Sequence, residues 1–137
     1  MVAVDFDQTI CDTQWLLGPT VPGARYWIKV WRTTGAYVYL HSMRWGPTLW
    51  LAKHWCYHNE IPLNAYHAWW WPFPSKPPYD WLVDDKNAGI ALIERRGKKP
   101  IVDWEVVGPN IYEKIQGRLA NLRMSQAKLK ADGRSFP

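Results

Sequence analysis

A chain of 137 residues with a net charge of +5 has the size of one domain, large enough to bury a core without disulfide or metal staples. Two cysteines, Cys11 and Cys56, make no disulfide framework and fit a reduced, cytoplasmic setting. No apolar run approaches the ~20 residues of a membrane span, and Met1 to Asp5 lacks the basic start of a signal peptide, so a membrane-embedded role is set aside.

Val2-Ala3-Val4 is a short apolar strand running straight into Asp5-Phe6-Asp7. A polar, turn-rich loop follows from Cys11 to Val21. Pro22-Gly23 then opens a predicted helix to Thr34, with Ala24, Trp27, Ile28 and Trp31 on one face and Gly35 as its stop. Ala36 to Leu40 reads as a strand, Pro47 to Asn59 as a second helix, and Leu63 to Trp69 as another strand. Pro72 to Pro78 is a proline-rich loop. Trp81-Leu82-Val83 is a buried strand ending at Asp84-Asp85, Ala88 to Glu94 a short helix or turn, and Ile101 to Trp104 a weaker strand. Pro109 is the predicted start of the last helix, with Ile111, Ile115, Leu119 and Leu122 on one face. The folded domain is read as residues 1–124, and the polar stretch from Ser125 to Pro137 as a fraying tail.

Strand–helix alternation predicts a parallel sheet with helices on both faces, a three-layer α/β/α sandwich. Residues 1–113 hold 11 Lys+Arg against 11 Asp+Glu, whereas residues 114–137 hold six against one. The excess positive charge therefore belongs to the last helix and tail, read as a solvated face; nucleic-acid binding there is not favoured.

The chemistry-bearing residues sit at strand ends. Asp5 and Asp7 follow the first strand, Ser42 follows Val38–Leu40, and Asp84 and Asp85 follow Trp81–Val83, with Lys76 just before that last strand. In a parallel sheet these ends converge on one edge, where ligands bind. Four carboxylates gathered there call for a cation, and an all-oxygen set suits Mg²⁺, which in turn brings a phosphate.

Taken together, Val2-Ala3-Val4-Asp5-Phe6-Asp7-Gln8-Thr9 resembles the hydrophobic-DxDxT motif of the haloacid dehalogenase (HAD) superfamily. Val38 to Ser42 resembles its second motif, Lys76 its third-motif lysine, and Leu82-Val83-Asp84-Asp85 with Lys86 to Ile90 its fourth, all in order across residues 2–107. The resemblance implies a phosphomonoesterase with Asp5 as nucleophile and Asp7 as acid and base. Ser42 and Lys76, with Phe6 and Asp7, would hold the phosphate, and Asp5, Asp7 (through its backbone carbonyl), Asp84 and Asp85 would hold Mg²⁺. Which of Asp84 and Asp85 is the principal ligand stays open, as does Lys86 as a rival to Lys76. Gln8 departs from the usual glycine, and its long side chain could crowd the entrance. The segments from Thr9 to Ser42 and from Ser42 to Lys76 each have room for one helix and one strand, so no cap domain is expected. The implied substrate is a small phosphorylated metabolite or nucleotide. The alternatives are a phosphatase of nucleic-acid ends and an inactive binding protein on the same fold.

Eleven tryptophans include the consecutive Trp69-Trp70-Trp71, which no single face can bury together. The segment Trp69 to Phe73 is expected either to pack on the domain, to form a homo-oligomer contact that lids the site, or to stack a substrate ring. His54 and His58 share a helix face, but Cys56 does not, so a zinc site is not expected there.

Overall fold

The computed structural model describes residues 1–13, 16–68 and 79–133. Four strands, β1 (Val2–Val4), β2 (Val38–Ser42), β3 (Ala65–Ala68) and β4 (Trp81–Val83), form one sheet in the order β3-β2-β1-β4. Every pair in it is parallel. The register aligns Val4 with Leu40 on one side and with Val83 on the other, so β1 is an interior strand, and all three of its residues are buried. Short all-apolar strands of this kind suit a parallel sheet covered by helices.

The helices α1 (Ala24–Thr33) and α2 (Gly46–His58) connect β1 to β2 and β2 to β3. Both steps run the same way across the sheet, so right-handed crossovers put both helices on one face. Val2, Val4, Val38, Leu40 and Val83 share one core cluster with Ile28 and Trp31 of α1 and with Ala52, Trp55 and Cys56 of α2. The long helix α3 (Trp104–Ala131) adds Trp104, Val107, Ile111 and Ile115 to the same cluster. The helical spacing read for α1 is borne out, since Ala24, Ile28 and Trp31 are its buried residues. Gly108 sits where α1 and α3 meet: a Cβ there would lie 2.2 Å from the Trp27 ring, so only glycine allows this approach. The Trp31 indole N–H donates to the Gly108 carbonyl at 3.0 Å and ties the two helices together. The other face of the sheet carries Ala3 and Tyr39, both fully buried.

Three expectations change. Residues 88–94 are not a helix: after a turn they enter β5 (Leu92–Arg95), which pairs antiparallel with β6 (Lys98–Val102) in a hairpin separate from the main sheet. Five charges in residues 94–99 hide the strand pattern. The last helix starts at Trp104, not Pro109, because the Asp103 side chain caps it by accepting from the Glu105 N–H. The proline lies inside the helix and removes one backbone hydrogen bond. The segment expected to fray from Ser125 is helical through Ala131, since it is rich in strong helix formers and carries Lys128 and Lys130 in its last turn. Lys76 and the Trp69 to Phe73 segment lie outside the described residues. No described helix is long and apolar enough to cross a membrane.

Candidate active site

The sheet order places a topological switch point between β1 and β4, since the chain leaves β1 toward one side and returns as β4 on the other. Asp5 follows β1, and its N–H donates to the Val83 carbonyl at 2.9 Å, so the sheet ladder runs up to the residue itself. Asp84 and Asp85 follow β4. Carboxylate oxygens of Asp5, Asp84 and Asp85 all lie within 4.8 Å of one another. The backbone N–H of Asp85 donates to the Thr9 hydroxyl at 3.2 Å, which locks the two strand ends together. Burial, then the charge of Asp84, pushes the Asp5 carboxyl up to about 8; a hydrogen bond from the Phe6 backbone N–H works against this. Burial and Asp84 also raise Asp85.

After Asp5 the chain winds into a turn in which the Phe6 carbonyl accepts from the N–H groups of Ile10 and Cys11, both at 3.0 Å. Gln8 has φ +59°, the left-handed region, which gives a physical reason for glycine at this position in the DxDxT pattern. Its side chain does not block the cleft: it is 4% exposed, and its amide donates to the Thr13 carbonyl at 2.6 Å. The Phe6 ring points into the core, edge-on to Trp55 at 5.3 Å, so a phosphate could meet only its backbone N–H.

The Asp7 carboxylate turns away from the three-acid cluster. Arg44 grips it with two N–H···O bonds of 2.6 and 3.1 Å, and the Thr13 hydroxyl donates a third at 2.8 Å. Burial pulls the Asp7 carboxyl upward, but the hydrogen bonds from Arg44 and Thr13 outweigh it and hold the group below the usual carboxylate range. Arg44 itself lies 4.7 Å over the Phe6 ring and donates to the Leu16 carbonyl at 2.7 Å. Sequence reasoning missed this arginine. It stands two residues after Ser42, at the end of the strand beside β1, and that position is the signal that could have found it. Ser42 is 2% exposed, and its hydroxyl accepts from the Arg44 N–H at 3.1 Å.

A cleft of about 800 Å³ opens over these groups. Asp5, Asp7, Asp84 and Asp85 line it together, whereas Ser42 is buried behind Arg44. Lys86, the rival cation, is on the cleft wall.

The far wall is the β5–β6 hairpin, fixed to the Asp7 loop by a second two-pronged pair. Arg95 donates to Asp12 at 2.5 and 2.9 Å, and both side chains are largely buried. The Arg95 hydrogen bonds hold the Asp12 carboxyl below its usual value of 3.8. A depressed acid stabilises the fold above the unfolded value and loses that contribution as pH falls through the folded one. Arg95→Ala is therefore expected to lower unfolding stability by ~1.5–3 kcal/mol at neutral pH. In urea denaturation the gap to wild type should narrow below about pH 4. A gap independent of pH would assign the effect to packing instead.

No protein-family model and no curated protein matches the chain. Among solved structures it is similar to a conserved protein from Bacteroides thetaiotaomicron, with 28% identity and a TM-score of 0.65 over 82% of this chain and 89% of that one. The likeness supports the α/β architecture, and the neighbour's description names no activity.

Proposed function

We propose that the chain is a Mg²⁺-dependent phosphohydrolase, a phosphomonoesterase of the three-layer, capless HAD kind acting on a small phosphorylated metabolite or nucleotide. The observation that carries this reading is the convergence of Asp5, Asp84 and Asp85 within 4.8 Å at the switch point of a parallel sheet. The donor set fits the metal: oxygen atoms only, two of the three carboxyls pushed upward by crowding and burial, and no histidine or cysteine among them. When bound, Mg²⁺ supplies the positive charge that lets carboxylate and phosphate approach one another.

Asp5 attacks phosphorus, a bond forms between its carboxylate oxygen and phosphorus, and the bond to the leaving oxygen breaks. The leaving oxygen takes a proton from a cleft water, because Arg44 and Thr13 hold Asp7 ionised, and the hydroxide so formed is neutralised by the proton that Asp7 gives back after the next step. A water then loses its proton to Asp7, attacks the aspartyl-phosphate, and returns Asp5 as a free carboxylate. The Phe6 N–H, already directed at the Asp5 carboxylate, is placed to donate to a phosphoryl oxygen. Retention of all four acids favours an enzyme over a binding protein that has lost its chemistry.

The test is phosphate release with Mg²⁺ across nucleotides, sugar phosphates and 3′- or 5′-phosphorylated oligonucleotides. Activity is expected on at least one of them, to vanish in EDTA, and to return with added Mg²⁺. No release from any substrate class in the presence of Mg²⁺ would overturn the reading, and so would activity indifferent to EDTA.

A further inference from the structure

Five carboxylates and five cationic side chains line the cleft. Two pairs cancel within the protein, Asp7 with Arg44 and Asp12 with Arg95. The residual negative charge is Asp5, Asp84 and Asp85 at the strand ends. The residual positive charge is Lys86, Lys98 and Lys99, and among the described residues none of these three forms a salt bridge. Lys98 and Lys99 begin β6, at the exposed turn of the hairpin. Their backbone is held in place: Arg95 donates to the Lys99 carbonyl at 2.6 and 3.1 Å while gripping Asp12, and the Val102 N–H donates to the Gln8 carbonyl at 3.0 Å. The hairpin is thus a braced arm that carries two exposed lysines on the cleft wall, neither in a salt bridge among the described residues. A cleft of about 800 Å³ is far larger than one phosphoryl group needs.

Building on the phosphohydrolase reading above, we propose that the substrate is a phosphomonoester carrying a second phosphate. The phosphate to be hydrolysed sits at Asp5, and the other is held by Lys98 and Lys99. An acid cluster suited to a metal and, on the same cleft wall, two exposed lysines in no described salt bridge match a molecule with two anionic groups. The second phosphate can come from a bisphosphorylated nucleotide or from the backbone of a phosphorylated nucleic-acid end, and the substrates of the test separate these two sources.

The test compares kcat/KM for AMP, adenosine 3′,5′-bisphosphate and a 5′-phosphorylated dinucleotide, using wild type, Lys98→Ala/Lys99→Ala and Lys98→Arg/Lys99→Arg. Wild type is expected to prefer a substrate with a second phosphate over AMP by about tenfold, the combined effect of two exposed ion pairs. The preference should fall to about one in the alanine pair, through KM, and return in the arginine pair. Preference for the bisphosphate alone assigns a small molecule, for the dinucleotide alone a nucleic-acid end, and for both the phosphate group itself. Equal use of all three by wild type overturns the inference while leaving the phosphohydrolase reading standing, and a preference that survives in the alanine pair does the same. If nothing is hydrolysed, that reading falls and calorimetry decides the subsite. Tighter, lysine-dependent binding of the bisphosphate than of AMP upholds it, and equal affinity overturns it.

Discussion

Asp5→Asn is expected to cut Mg²⁺-dependent phosphate release by at least ~10⁴-fold while making the metal-free protein more stable at neutral pH. The first effect follows because an amide cannot form the aspartyl-phosphate. The second follows from where the carboxyl sits. In the fold its pKa is pushed up to about 8 by burial and by Asp84, against a usual value of 3.8. The unfolded chain releases this proton near pH 4, whereas the folded chain keeps it until about pH 8, so folding takes up a proton between those limits. Stability of the EDTA-treated wild type should therefore fall as pH rises through that window and level off above it. Asparagine does not titrate, so the variant should show a shallower fall, the remainder coming from the raised Asp85. Thermal melts in EDTA at several pH values, beside phosphate-release assays, read both effects. Equal pH slopes in the two proteins would mean that Asp5 is not the strained acid, and near-wild-type turnover in the variant would remove it as nucleophile.

The acids were legible in the sequence because each follows a short apolar run, and parallel strands must end together at one edge. The strand order turned that pattern into contact between Asp5, Asp84 and Asp85. The α1 face was legible from its 3.6-residue spacing. What escaped had weaker local signals. The hairpin strands mix exposed and half-buried positions with a run of charge, so no clean alternation marks them. The start of α3 is set by the Asp103 cap, a feature that Pro109 outshouted. Arg44 escaped for another reason: its role depends on a long-range contact with Asp7, 37 residues away, which no local pattern encodes. Gln8 looked like an obstruction. Once its backbone is seen in the left-handed region, its buried side chain becomes a brace on the loop.

Asp7→Asn is expected to cost ~10²–10⁴ in kcat, the usual range for a general acid–base group, and to leave Mg²⁺ affinity nearly unchanged. The affinity part follows from geometry: the Asp7 carboxylate faces Arg44 and Thr13 and is not one of the three clustered acids, while its backbone carbonyl survives the substitution. The rate part carries a sign that Arg44 sets. Burial would raise the Asp7 carboxyl, but the Arg44 and Thr13 hydrogen bonds keep it ionised to unusually low pH. An ionised carboxylate is the form that takes a proton from the water attacking the aspartyl-phosphate. Activity should therefore persist toward acid and fall only as Asp7 gains its proton. Arg44→Ala removes the main restraint, so the acid limb of kcat against pH should move to higher pH. It also leaves the N–H that serves Ser42 in place, which separates the charge of Arg44 from its backbone role. Profiles of wild type, Arg44→Ala and Asp7→Asn from about pH 4 to about pH 9 decide the matter. A limb that stays put in Arg44→Ala, or that persists in Asp7→Asn, would show that another group takes the proton and that the Arg44–Asp7 pair only braces the loop.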